Sequence, residues 1–75
     1  MEIELKNKIA DVMEVDVFVL INDKILSEIE AWDSVTKLGL VVVLSDFLGE
    51  PVNPLEIDQF ETFGDVVSFI SKKKT

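Results

Sequence analysis

"DSVTKLGLVVVLSDFLGEP", residues 33–51, is the stretch on which the fold turns. Its three consecutive valines, at 41–43, favour extended structure, because β-branched side chains suit a pleated surface. The punctuation argues the other way. Asp33 or Ser34 is a good helix N-cap, and Gly49 followed by Pro51 is a good stop. About fifteen residues between such signals is long for a strand and ordinary for a helix. Residues 34–48 are therefore expected to be helical. Since nearly every side of that helix is apolar, it is expected in the middle of a bundle.

The flanking segments fit the same architecture. Residues 2–14 place Leu5, Ile9, Val12 and Met13 at helical spacing among charged residues, which predicts an amphipathic helix with one buried stripe. The run "VDVFVLI" at 15–21 resembles a strand, but no second strand exists to pair with it, and a lone strand leaves its backbone groups unsatisfied. Residues 15–33 are thus expected to be a long connection whose apolar side chains dip into the core, with a short helical turn around Ile25, Ile29 and Trp32. "NPLEIDQF" at 53–60 offers Asn53 as a cap and Pro54 at the first helical position of a short helix. "TFGD" at 62–65 is a capping-box pattern, with Phe63, Val66, Val67 and Ile70 at i, i+3, i+4, i+7 behind it.

The whole chain, residues 1–75, is expected to be a single all-α domain, with 72–75 a flexible, solvated tail. At 48% apolar residues it can fill a core. It contains no cysteine and no histidine, so a disulfide framework, a Ser-His hydrolase and a His/Cys zinc site are all excluded. Fifteen acids face seven lysines and no arginine, for a net charge of −8. From Leu38 to Ser71 there are acids only. Such a surface repels nucleic acid and anionic membranes and attracts basic protein patches. Met1 is followed by "EIELK", without the basic start and apolar stretch of a signal peptide, and the run from Leu38 to Leu44 is too short to span a bilayer. A cytoplasmic location without membrane insertion is expected.

Few residues are candidates for chemistry. The three glycines are isolated, Asp16, Asn22 and Asp23 lack calcium-loop spacing, and Asp58 with Glu61 reads as a solvated helix face. Ser34 is left. A serine at a helix start is most simply a cap, contributing about 1 kcal/mol. Without a histidine it is not self-activated, so an enzyme in its own right is not expected. It can still be a substrate for another enzyme that brings its own base and metal.

"WDSV", the apolar helix behind it, "FLGEPV" and "ETFGDVVSFI" together resemble the acyl carrier protein family, from about Glu28 to Ile70 without a gap. The resemblance implies a four-helix bundle with a long first loop and a short third helix. It implies a 4′-phosphopantetheine arm, derived from coenzyme A, on Ser34, with Asp33 as its motif neighbour. Acyl or aminoacyl intermediates would ride on that arm as thioesters, which explains thioester chemistry from a cysteine-free chain. The implied partners are a phosphopantetheinyl transferase and acyl-loading and acyl-transfer enzymes with basic docking patches, met by a monomeric carrier through Asp46, Glu50, Glu56 and Asp58. Leu38 and Val42 are expected to line a groove that shelters hydrophobic cargo.

The chain departs from the family pattern in four places. Val35 stands where leucine is usual. Thr36 and Gly39 occupy positions often acidic in fatty-acid carriers, and Lys37 adds a base. Helix two is thus less negative at its start, and Trp32 is more similar to stand-alone carriers of polyketide, aminoacyl or cell-envelope pathways. The alternative is an unmodified acidic helical interaction module of the same fold, with Ser34 only a cap.

Overall fold

The computed structural model describes residues 2–74. Among them are four α-helices: α1 (Ile3–Met13), α2 (Ser34–Leu48), α3 (Pro54–Asp58) and α4 (Phe63–Lys74). There is no strand among the described residues, and the valine-rich stretch is helical. The punctuation prevails over the β-propensity of its valines because α2 satisfies its own backbone bonds between a cap at Asp33 and a left-handed stop at Gly49 (φ 70°).

The core is assembled from every segment of the chain. Leu5, Ile9, Ala10 and Met13 face inward from α1, Leu40 and Leu44 from α2, Ile57 from α3, and Phe63, Val66 and Ile70 from α4. The other three helices all pack against α2. At Gly39 the approach of α1 is close: a Cβ there would lie 3.0 Å from Cγ1 of Val12. Gly39 therefore acts as a helix contact, and any side chain there requires Val12 to give way by a few tenths of an ångström.

The long connection is not a strand. It holds two short 3₁₀ turns, Val17–Val19 and Leu26–Glu28, the second within the region where a helical turn is expected. Leu20, Leu26 and Ile29 are buried, but Phe18 and Ile21 stay in solvent, so its apolar residues enter the core only in part. Three backbone bonds clip it across the start of α4. Leu26 N–H donates to the Glu61 carbonyl, Phe63 N–H to that of Lys24, and Gly64 N–H to that of Asn22, each at 2.9 Å. The connection thereby satisfies two of the N–H groups that the first turn of α4 would otherwise leave open.

The capping box is formed as expected. Thr62 Oγ1 accepts from Asp65 N–H at 3.3 Å, and Asp65 Oδ2 accepts from the Glu61 and Thr62 N–H groups at 2.8 and 3.1 Å. Residues 72–74, expected as a tail, are helical and form the last turn of α4. The Lys73 ammonium lies 3.7 Å from Glu50 and 5.6 Å from the centre of the Phe69 ring. Thr75 lies outside the described residues.

The placement of α2 also differs from expectation. It is central but not enclosed: Val35, Leu38 and Val42 are 77%, 58% and 67% exposed. These positions repeat at i, i+3, i+7 and form one outward stripe, while Thr36, Leu40 and Leu44 form the inward one. Seventy-five residues provide too little chain to cover every face of a central helix.

The α1–α2 contact is tested by Gly39→Leu. The added side chain is expected to lower unfolding free energy by about 1–3 kcal/mol through overpacking against Val12, measured by urea denaturation.

Candidate functional site

Asp33 is the N-cap of α2. Its backbone is extended, and its Oδ1 accepts from the Thr36 N–H at 2.9 Å. Ser34 is consequently the first helical residue and not the cap. That corrects the simplest reading of this serine. Its side chain is exposed, and among the described residues its hydroxyl makes no hydrogen bond. No acceptor among those residues takes its N–H either. The contrast with α4 is instructive, since there the connection and the capping box take up the first-turn donors.

The cap is anionic. Hydrogen bonding from the Thr36 N–H, aided by the Thr36 hydroxyl and the Val35 N–H, outweighs desolvation and holds the Asp33 carboxyl below the usual carboxylate range. Asp65 is held low in the same way, chiefly by the Glu61 and Thr62 N–H groups. Thr36 is a buried polar residue, and no buried side-chain polar atom among the described residues lacks a partner. An acid at position 36 would bring its charge against the Asp33 carboxylate.

Ser34 borders a cleft of about 240 Å³ lined by Lys37 and Leu38 of α2 and by Pro54 and Asp58 of α3. Across it the Lys37 ammonium lies 3.3 Å from Asp58 Oδ1 and 5.5 Å from the centre of the Trp32 ring. Trp32, partly buried, packs against the core and flanks the cation. Leu38 belongs to this open cleft. Val42 lines a separate depression at the other end of α2, with Asp46, Glu50 and Pro51. Leu38 and Val42, expected to line one groove, are both exposed and lie in two separate depressions.

The four acids considered for partner recognition do not form one patch. Asp46 is exposed and, among the described residues, makes no ion pair. Glu50 is paired with Lys73, and Asp58 with Lys37. Glu56 faces a different cleft, lined also by Asp65 and Phe69. The Lys37–Asp58 contact escaped sequence analysis because it joins two helices twenty-one positions apart; the only hint was an unexpected base beside Ser34. Among the described residues no cluster of acids could hold a metal ion, and no helix is long and apolar enough to cross a membrane.

No protein-family model, curated protein or solved structure matches this chain.

Two outcomes follow from the cap. Ser34→Ala is expected to change unfolding free energy by less than about 0.5 kcal/mol, as for a surface position, whereas Asp33→Ala lowers the thermal midpoint by several degrees. Paired thermal melts check this.

The lowered carboxyls also set a sign. Their stabilisation is complete above the ordinary unfolded value of about 4 and is lost as pH falls through their lower folded values. The melting difference between the wild type and an Asp33→Asn, Asp65→Asn double variant is therefore expected to shrink on acidification below about pH 4. Thermal scans across that window check it.

Proposed function

We propose that this chain is a non-catalytic carrier of the acyl carrier type, a four-helix bundle that holds acyl or aminoacyl groups as thioesters on a 4′-phosphopantetheine arm at Ser34. The observation that carries this reading is the division of labour at the head of α2: Asp33 does the capping, so the exposed Ser34 hydroxyl is left with no structural task. In the loading reaction a transferase removes the Oγ proton. Ser34 Oγ then forms a bond to the β-phosphorus of coenzyme A, and the bond to the departing adenosine 3′,5′-bisphosphate breaks.

The surroundings suit the product. The phosphodiester is an anion, and the first turn of a helix offers an open N–H and the positive end of the dipole, worth up to about 1 kcal/mol at an exposed site. Because Ser34 is not the cap, esterifying its oxygen removes no hydrogen bond from the fold. The arm supplies the thiol that the chain lacks. Docking enzymes would meet the outward stripe of Val35, Leu38 and Val42 and the exposed Asp46 beside its far end with apolar contacts and basic side chains, at a salt-sensitive on-rate. That same stripe also favours the second reading, an unmodified interaction module, because it is ready to dock without any arm.

Mass spectrometry separates the two. Incubation with coenzyme A, magnesium and a broad-range phosphopantetheinyl transferase is expected to add one arm per chain, and Ser34→Ala to abolish the addition. A chain that stays bare with several such transferases is the interaction module.

A further inference from the structure

We propose that Lys37 is an exchangeable cation, held by Asp58 while Ser34 is bare and transferred to the phosphate when Ser34 carries a phosphate ester. The inference deepens the carrier reading and rests on it for the identity of the ester. Its physical content concerns any monoanion tethered at residue 34.

Ser34 and Lys37 are i and i+3 on α2, so their side chains neighbour one another on one face, and both line the cleft that Asp58 enters from α3. In the bare protein the Lys37 ammonium sits 3.3 Å from Asp58 Oδ1, with the two side chains 32% and 56% exposed. A pair so open to water is weak and screened by salt. An anion bonded to the Ser34 side chain differs from Asp58 in one respect that decides the competition. It is tethered to the same helix as the lysine, one turn away, so its effective concentration does not depend on how α3 sits. It also brings a second negative charge into a cleft that holds one cation. Asp58 then loses its partner and faces a like charge.

The consequence lies at α3. This helix has only five residues, and the Lys37–Asp58 pair ties its last residue to α2. Release of Lys37 loosens that corner and sets Asp58 free as an acidic docking group. The carboxylate neutralised in the bare chain becomes available in the loaded one, which gives a partner enzyme a means of preferring the modified carrier. The cation also leaves, or turns against, the face of Trp32, the single tryptophan of the chain.

The test needs no transferase. The chain has no cysteine, so Ser34→Cys supplies one thiol. That thiol is converted to mixed disulfides with methanethiosulfonates bearing a sulfonatoethyl, a trimethylammonioethyl or a neutral hydroxyethyl group. The anionic tag alone is expected to shift the amide resonances of residues 56–60 and to speed hydrogen exchange at Gln59 and Phe60 by about twofold or more. It alone should also change the Trp32 emission. Each response should vanish in Lys37→Met and in Lys37→Gln. The proposal is overturned if the anionic tag leaves α3 unmoved, if all three tags act alike, or if the response survives removal of the lysine. A chain that answers the sulfonate but is never loaded by a transferase would retain the exchange and lose the carrier reading. A chain that is loaded but gives no response would do the reverse.

Discussion

The carboxylate of Asp33, accepting the Thr36 N–H, is the contact on which the remaining geometry depends. It fixes where α2 begins and takes up the capping task that Ser34 could otherwise have filled. With the start at Ser34, Thr36, Leu40 and Leu44 face the core, and Val35, Leu38 and Val42 face water. Lys37 comes to lie between the Trp32 ring and Asp58. The Ser34 hydroxyl is left exposed at the edge of a cleft. A cap at Ser34 would instead have committed that hydroxyl to the helix end.

A second constraint is size. Four short helices and a long connection build one core, and the connection has to be pinned for that core to close. Its clip across the start of α4 uses backbone groups alone, so the side chains of this segment are free to divide between the interior and the surface. Leu20, Leu26 and Ile29 go inward, and Phe18 and Ile21 remain outside. What a larger protein would cover with another layer is left uncovered here, on the connection and along α2. An exposed apolar stripe with acids near its far end is costly as a solvent surface and useful as a docking one.

The electrostatics is local as well as global. A net charge of −8 makes basic partners the natural ones. Yet two of the acids considered for recognition are engaged with lysines, and the one nearest Ser34 is among them. Charge available for docking is therefore set by pairing as well as by composition.

The sequence by itself determined the all-α class, the order of helices, the caps at Asn53 and Thr62 and the stop at Gly49. These follow from local chemistry: periodicity, cap residues and glycine act within a few positions of where they stand. It left Asp33 and Ser34 as equal candidates for one cap, because both can supply the oxygen and only the approach of the preceding chain selects between them. Only the tertiary structure decided that α2 shows one apolar face to solvent, that residues 72–74 continue a helix, and that Lys37 meets Asp58 across a cleft. Each of these is a contact between segments far apart in the chain, and no local pattern specifies how distant faces will share a core too small to bury them all.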